Sequence, residues 1–378
     1  MTTKVKKAYS LVPSQNQSLL DWKKQGKKAI GVFCHNIPRE MIYAAGILPI
    51  RLLGNTEPLQ KAADRFRYCC YYSRSTFEMA LRGDLDALDG LCMIDMCDTQ
   101  RYGFGFWQKY LTKFPYIYFF IPILYTRATG ALQFYMVELD YFKRSLEELS
   151  GNEITNQSLA EAIELYNKNR ALLKEIYDLR GKGVLSGLEV AEAALSSTQM
   201  PPEKNNRLLS SLVEEAKNRN NPPFNGPRLH LSGSLMPNLD FFKLVEDCGG
   251  MVVSDDLCIG SRYFWEPIYT SLDPYEAIAT CYSVDQKIMC PSMQNPESSE
   301  IRVAFITELM RRYNADAVCF VNQMYCGSHF MDYPYVSNAL KEKEIPTLLI
   351  EMEQEVAPAA VKTRVEAFLE MLKEEKGE

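Results

Sequence analysis

Short apolar runs alternate with helix-forming segments along this chain, and the alternation appears twice. The first half contains four strand-like runs, AIGVF, ILPIRLL, LDGLCMI and YIYFFI. The second half contains four more, RLHLSG, MVVSDDL, ADAVCFV and IPTLLIE. Apolar runs of this length that alternate with helices are typical of βαβ units around a parallel sheet. The pattern therefore predicts an α/β fold in which two lobes each contain a parallel sheet.

A helix-rich segment separates the two halves. It is rich in Leu, Ala, Glu and Lys, and its apolar residues recur at helical spacing. The Pro222-Pro223 pair within NRNNPPFNGP cannot continue a helix and is the best candidate for a linker. We therefore predict an N-terminal α/β lobe at residues 1–138, a helical connector at residues 139–222 and a C-terminal α/β lobe at residues 223–378.

The charge and hydropathy of the chain argue against nucleic acid and membrane as partners. Lys and Arg number 42 against 48 Asp and Glu, so the net charge is −6, and the lysine-rich patches are short. The longest apolar run, residues 114–125, contains two prolines and is shorter than the roughly 20 residues that span a bilayer. The N-terminus lacks the apolar segment of a secretory signal. We therefore expect a cytoplasmic protein that binds neither partner.

The two halves resemble each other around two cysteines. LDGLCMIDMC and ADAVCFVNQMYC each place an aspartate shortly before an apolar run that leads to a cysteine, Cys97 or Cys326. This similarity indicates a weak internal duplication in which the two cysteines occupy related places. Ligand sites in parallel sheets lie beyond the carboxyl ends of the strands, which is where both loops fall. Two such lobes that face each other would form a cleft.

The chain has 11 cysteines and 3 histidines, and the absence of CxxC pairs argues against a closed zinc site. Cys70, Cys97 and Cys326 lie in loops or at helix starts, where backbone N–H groups can donate to thiolate or sulfide. Iron–sulfur clusters can use such cysteines even when they are far apart in sequence. Four others fit the role of small buried apolar residues: Cys92, Cys248, Cys281 and Cys319.

Five longer segments carry a family resemblance: KAIGVFCHNIPREMIYAAGILPIRLLG, CYYSRSTFEMALRGDLDALDGLCMIDMCDT, VSDDLCIGSRYF, YCGSHFMDYPYVSNALKEKEIPTLLIEMEQ and TRVEAFLEML. In this order they resemble the 2-hydroxyacyl-CoA dehydratase and benzoyl-CoA reductase subunit family, of the D-component type. The resemblance covers nearly the whole chain. It implies two flavodoxin-like, or Rossmann-like, parallel-sheet lobes with a helical insertion.

The resemblance also implies a cofactor and a chemistry. Family members hold a [4Fe–4S] cluster between the lobes through three cysteines, which correspond to Cys70, Cys97 and Cys326. Three thiolates for four irons leave one iron open, as Lewis-acid catalysis requires. The implied reaction is one-electron, ketyl-radical chemistry on an acyl-CoA thioester, and benzoyl-CoA reductases use similar parts for ring reduction. The implied partners are an ATP-hydrolysing iron–sulfur activator and a second subunit, in a homodimer or with a paralogue.

His35 departs from the family pattern. It follows the first strand in FCHNIP, where dehydratase subunits often place a small residue with a hydroxyl group. As a catalytic residue, His35 would donate or accept a proton near the open iron. As a structural residue, it would cap the helix that starts near Pro38. The departure leaves two interpretations open, a catalytic subunit with altered chemistry and a non-catalytic electron-relay subunit.

Further cysteines near the expected site suggest an alternative to the single [4Fe–4S] cluster. Some relatives in the wider family hold a double-cubane [8Fe–9S] cluster and act as ATP-dependent reductases of small molecules. Cys34, Cys69 and Cys258 are the additional ligands that such a cluster would use here. Adjacent Cys69 and Cys70 point in different directions on a helix or a strand. In the same region, Arg262 is a candidate for binding a CoA phosphate or, alternatively, for a lobe-closing ion pair.

Overall fold

The structure is a computed structural model, and it describes residues 5–6, 8–55, 57–67, 69–95, 97–120, 130–221, 224–236, 239–283, 297–352 and 359–376. It contains two four-stranded sheets in which every pair of neighbouring strands is parallel. This confirms the predicted α/β class and its two flavodoxin-like lobes. Among the described residues, no helix combines the length and apolar character needed to span a membrane.

The N-terminal lobe is built on the first sheet. Its strands are β1 (Lys28–Val32), β2 (Ile47–Arg51), β3 (Gly90–Ile94) and β4 (Tyr116–Phe119). Its helices are α1 (Gln17–Lys23), α2 (Arg39–Ala44), α3 (Ala62–Arg65), α4 (Tyr71–Arg82) and α5 (Asp98–Tyr110), and a 3-10 turn at Pro13–Gln15 precedes them. The strands follow the order β2-β1-β3-β4. All of β2 and β3 is buried, as expected when helices cover both faces of a parallel sheet.

Four helices form the connector between the lobes. They are α6 (Ala131–Ser150), α7 (Asn156–Gly181), α8 (Gly187–Ser196) and α9 (Pro202–Lys217). Capping boxes at Thr155 and Ser186 satisfy the first backbone N–H groups of α7 and α8. The predicted start of the connector, residue 139, lies inside α6. The predicted linker at Pro222-Pro223 lies outside the described residues.

The C-terminal lobe is built on the second sheet. Its strands are β5 (Arg228–Gly233), β6 (Met251–Asp255), β7 (Ala317–Gln323) and β8 (Thr347–Met352). Its helices are α10 (Asp240–Asp247), α11 (Ser261–Phe264), α12 (Pro274–Ser283), α13 (Glu297–Tyr313), α14 (Gly327–Lys341) and α15 (Ala359–Lys376). The strands follow the order β6-β5-β7-β8, which is the order of the first sheet.

The same pair of hydrogen bonds recurs in both lobes and supports the internal duplication. Asp89, just before β3, donates its backbone N–H to the carbonyl of Ala29, and its carboxylate accepts the N–H of Ala29 at 2.8 Å. Asp316, just before β7, makes both bonds with Arg228 at 2.7 Å. These aspartates join the two central strands of each sheet at the same point. The aspartates in the two similar sequence segments therefore have the same structural role.

Helix α7 contacts both lobes through buried side chains. Near its middle, Arg170 donates to a carboxylate oxygen of Glu40 in α2 at 2.6 Å. Further along, Tyr177 and Arg180 donate to Asp255 at the end of β6, at 2.7 and 3.0 Å. One continuous helix therefore joins the two lobes.

Candidate functional site

The three cysteines with polar neighbours occupy one kind of position, directly before a helix. Cys70 is the N-cap residue of α4, Cys97 is that of α5, and Cys326 is that of α14. Cys97 and Cys326 also follow β3 and β7, which are corresponding strands of the two sheets. The first backbone N–H groups of a helix lack partners within it, and the helix dipole adds partial positive charge there. Both effects favour a thiolate over a thiol.

The three thiols come from both lobes and lie near one another. Burial raises the pKa of Cys326 well above its usual value, and the thiols of Cys70 and Cys97 raise it further. Burial, followed by Cys70, raises the pKa of Cys97 to about 12. In all three cases a backbone N–H of the third residue of the following helix acts in the opposite direction; these residues are Ser73, Gln100 and His329. The fold therefore gathers three thiols whose negative charges would repel one another without a cation.

The chemistry of these three thiols is that of the ligands of an iron–sulfur cluster. Within the described ranges, no three His, Cys, Asp or Glu side chains converge on the position of one ion. The ligands of a cluster bind different irons, so their sulfur atoms stand further apart than the ligands of one ion. Iron would also supply the positive charge that a group of buried thiolates needs. Cys70, Cys97 and Cys326 therefore provide suitable chemistry for the implied group.

A second group of thiols lies beside the first, around His35. This residue lies in the loop after β1, and its Nδ1 is 3.9 Å from the Sγ of Cys34. Burial lowers the pKa of His35, but the thiols of Cys34 and Cys258 outweigh burial and raise it overall. Burial would raise the pKa of Cys34, but His35 and Arg51 lower it overall. Pro38, rather than His35, is the N-cap residue of α2. The structure therefore does not support the alternative in which His35 caps this helix.

Arg262 connects this second group to the C-terminal lobe. Its Nη1 lies 3.3 Å from the Sγ of Cys258 and 3.4 Å from the Nε2 of His329. Its Nη2 donates to the carbonyl of Gly233 at 2.9 Å and to Asp256 at 3.2 Å. These contacts agree with the ion-pair interpretation of Arg262 rather than with phosphate binding. The pair lies within the C-terminal lobe, so it does not close the two lobes onto each other.

Buried charges also fix the helix that carries Cys326. Arg302 of α13 contacts Asp332 in α14 and donates to Asp256 at 3.1 Å. Burial would raise the pKa of Asp256, but Arg262 and Arg302 hold it well below its usual range. Arg302 was not predicted because it lies on a helix of mixed composition, and only the tertiary fold brings it to Asp332.

A hydrogen bond between the lobes lies next to Cys70. The backbone N–H of Tyr72 in α4 donates to the side-chain carbonyl of Gln323, at the end of β7, at 3.0 Å. The hydroxyl of Tyr72 donates to the carbonyls of Phe33 and Leu52 at 2.9 Å. Tyr72 thus holds the start of α4 against both sheets. Tyr72 and Gln323 could not be identified from the sequence, because an aromatic residue beside a candidate ligand is too common to mark a contact between lobes.

The remaining cysteines differ from this group in their surroundings. The thiol of Cys69 interacts with the hydroxyl of Thr99, and burial raises its pKa to about 11. Its neighbours therefore differ from those of Cys70, as the different directions of adjacent side chains predict. Three of the predicted structural cysteines are buried and the fourth is partly exposed: Cys92, Cys281 and Cys319, and then Cys248.

Two similar α/β lobes, joined by a helical connector, thus face a shared group of thiols at the ends of their central strands. These features define a two-lobe α/β protein with a buried group of cysteines drawn from both lobes. The chain belongs to the family described as 2-hydroxyglutaryl-CoA dehydratase, D-component, which it matches over residues 34–372. The family suggested by the sequence is therefore confirmed.

Several characterised proteins are similar along nearly their full length. The beta subunit of (R)-2-hydroxyglutaryl-CoA dehydratase from Acidaminococcus fermentans is 28% identical, over 95% of this chain and 96% of the relative. One of the subunits of benzoyl-CoA reductase from Thauera aromatica is 27% identical, over 86% of each chain. The beta subunit of (R)-phenyllactyl-CoA dehydratase from Clostridium sporogenes is 26% identical, over 92% of each chain. These relatives support an enzymatic role at the level of the family.

Proposed function

We propose that this chain is the iron–sulfur subunit of a 2-hydroxyacyl-CoA dehydratase or a benzoyl-CoA reductase-like enzyme. Cys70, Cys97 and Cys326 would hold a [4Fe–4S] cluster in the cleft. The observation that carries the proposal is the position of these thiols, which are mutually close, come from both lobes and each precede a helix. A cluster with one open iron supplies a Lewis acid and a carrier of single electrons for an acyl-CoA thioester.

The residues of the chain itself would prepare this site in three ways. The helix N-termini before which the cysteines lie stabilise negative charge on sulfur. The buried His35 has a raised pKa, so its imidazole remains protonated to higher pH and can donate a proton in the cleft. Tyr72 and Gln323 hold the two lobes together beside Cys70 and so position all three thiols.

The proposed partners follow from the names of the relatives. Three of them are named as single subunits of a dehydratase or reductase, so we propose that this chain also works with a second subunit, identical or paralogous. Electron supply would come from an ATP-hydrolysing iron–sulfur activator. Combining this chain with a paralogue, an activator, ATP and a 2-hydroxyacyl-CoA distinguishes a catalytic subunit from an electron-relay subunit, because only the former needs its own His35 for turnover.

Iron and acid-labile sulfide analysis of the full chain, purified without oxygen, tests the proposal. We expect about four irons and four sulfides per chain. Cys326→Ser should lose most of the iron, because one of three ligands is gone. Cys248→Ser is the matched control, since this partly exposed cysteine at the end of α10 should not affect iron content. A wild-type chain that takes up no iron after anaerobic reconstitution would contradict the proposal.

A second candidate function is a double-cubane reductase of small molecules. The observation that favours it is the second group of thiols, Cys34 and Cys258, which both interact with His35. Cys34 also contributes to the raised pKa of Cys97, and Cys258 contributes to the raised pKa of Cys326. About eight irons per chain, with loss of about half in Cys34→Ser, would favour this candidate over a single cubane.

A further inference from the structure

Lys174 of α7 lies beside a small cavity where the two lobes and the connector meet. The lining of this cavity includes His35, Arg170 and Trp265. The Nζ atom of Lys174 is 5.1 Å from the centroid of the Trp265 ring, and Arg170 lies one turn earlier on the same face of α7. The Nδ1 of His35 lies 3.9 Å from the Sγ of Cys34, so the cavity borders the second group of thiols. Lys174 therefore adjoins this cavity from the side of the connector.

The surroundings of Lys174 disfavour a charged ammonium group. The residue is half-buried, and burial lowers the pKa of its side chain. Glu266 acts in the opposite direction, with a smaller contribution from Asp178. The positive charges of Arg312 and Arg170 act together with burial, and the pKa is lowered overall. At neutral pH Lys174 is therefore the neutral amine more often than an exposed lysine is, and the neutral amine is the nucleophilic form.

Two cationic side chains approach the ring of Trp265, which is only 8% exposed. The Nζ of Lys174 is 5.1 Å from the centroid of this ring, and the guanidinium carbon of Arg312 is 5.7 Å from it. Arg312 also donates to a carboxylate oxygen of Asp178 at 3.0 Å, which fixes its charge at this place. Conversion of the Lys174 ammonium group to a neutral amide would remove one of two like charges beside the ring.

We propose that Lys174 is a modification site, acylated on Nζ by an acyl-CoA that the chain binds. This inference rests on the proposed function, because that function brings a thioester to the cavity. The Nζ atom attacks the thioester carbonyl carbon, so that the C–N bond of an amide forms and the C–S bond breaks. Coenzyme A leaves as a thiolate and takes up the proton that the nitrogen releases. The reaction needs no further reactant.

Mass spectrometry of the anaerobically purified full chain, incubated with acetyl-CoA, tests this inference. Lys168 is the matched control within the chain, because it is an exposed residue of the same helix. At pH 7.5 we expect Lys174 to be acetylated at least about fivefold faster than Lys168, because more of it is the neutral amine. At pH 10 the ratio of the two rates should fall toward one, because exposed lysines then also lose their protons.

A smaller thioester distinguishes bound from free acyl donor. S-acetyl-N-acetylcysteamine carries the same reacting group as acetyl-CoA but lacks the nucleotide. At equal concentrations, Lys174 should react at least about threefold faster with acetyl-CoA, because binding raises the local concentration of the thioester. Lys168 should react with both compounds at similar rates. If Lys174 reacted equally fast with the two compounds, a bound acyl-CoA would not be the donor and the inference would be overturned.

A charge variant separates the reactivity of Lys174 from its accessibility. Glu266→Gln removes the negative charge that favours the ammonium form, so acetylation of Lys174 at pH 7.5 should become about two- to threefold faster. Arg144→Gln, in an exposed ion pair of α6, should leave the rate unchanged. Equal wild-type rates for Lys174 and Lys168 at pH 7.5 would overturn this inference, and four irons per chain would leave the proposed function intact. Acetylation of Lys174 in a chain that takes up no iron would contradict the proposed function alone.

Discussion

The two lobes share one framework but differ in the loops that face the cleft. Both sheets have the same strand order, and the same aspartate bonds join their central strands. The loops after the corresponding strands β2 and β6 differ. In the first lobe one helix, α3, intervenes before Cys70 caps α4, whereas Cys258 lies three residues after the end of β6 and contacts Arg262. The duplicated lobes thus keep the bonds that join the central strands and differ in the loops that carry the candidate site residues.

The largest expected contrast concerns these two corresponding cysteines. With a single cubane, Cys70→Ser should lose most of the bound iron, because a hydroxyl is a poor substitute for a thiolate ligand. Cys258→Ser should retain nearly the wild-type amount, since Cys258 is paired with Arg262 and with histidines. Iron analysis after anaerobic reconstitution measures both. Equal loss in the two variants would mean that the lobes are alike at this position and would favour the double cubane.

A pair of glycines distinguishes the lobes by their backbone. Gly233, at the end of β5, has a φ of +145°, and an added Cβ would lie 2.1 Å from the carbonyl oxygen of Val321. Gly31 of β1 would meet only the ends of leucine side chains, the nearest 2.8 Å away. We expect Gly233→Ala to lower the free energy of unfolding by about 3–5 kcal/mol and Gly31→Ala by about 1–2 kcal/mol. If urea unfolding showed a larger loss for Gly31→Ala than for Gly233→Ala, the close approach of β5 to the backbone of β7 would not be the stronger constraint.

Histidines near the cleft should give the lobes opposite responses to pH. Burial, with Arg262 and Arg302, lowers the pKa of His329 from 6.5 to about 4, although Cys258 acts against this. The unfolded chain therefore binds a proton more readily, and stability falls as pH drops from about 6.5 toward 4. Between pH 7 and pH 5 the iron-free chain should lose about 2 kcal/mol through His329. His329→Gln should remove this loss in urea unfolding at the two pH values.

The pKa of His35 is shifted in the opposite direction to that of His329, so the two histidines can be compared. Its pKa is raised, so its contribution to stability is present below the unfolded value and is lost as pH rises through the folded value. His35→Gln should therefore keep the loss between pH 7 and pH 5 that His329→Gln removes. The same acid response in both variants would show that neither histidine controls it.

The smallest effect concerns the framework that the lobes share. Asp89→Ala and Asp316→Ala should each lower the free energy of unfolding by about 1–2 kcal/mol, because each leaves a backbone N–H of a central strand without its acceptor. Urea unfolding at pH 7 measures both losses. Similar losses would support the equivalence of the two positions. A large loss in only one lobe would show that the two aspartates do not contribute equally to stability.

Much of this framework can be predicted from the sequence, because a parallel sheet needs long apolar runs and short turns. All eight predicted strands overlap the observed ones, and RLHLSG matches β5 without error. The duplication was visible because Asp89 and Asp316 make main-chain bonds that few other residues can replace. The local sequence pattern was therefore sufficient to predict the strands and the two aspartates, because hydrogen bonding of the backbone determines both.

The candidate site was less accessible to sequence reasoning, because it depends on contacts between distant segments. Cys70, Cys97 and Cys326 came from loop context and family resemblance, and their roles remain predictions. The partners Arg302 and Gln323 could not be recognised, since each contacts a residue in another element. Residue 139, the predicted start of the connector, lies inside α6, because a change in composition does not indicate where a helix begins.

Helix α7 determines the distance between the two points at which it contacts the lobes. Its contacts with Glu40 and with Asp255 are made by Arg170 and Arg180, which ten residues of helix place about 15 Å apart along the axis. A packed α-helix resists stretching, so the helix fixes the distance between these two contacts. Insertion of the proposed cluster would then require little rearrangement of the chain, and a proline in this stretch would leave each lobe intact while moving the three sulfur atoms apart.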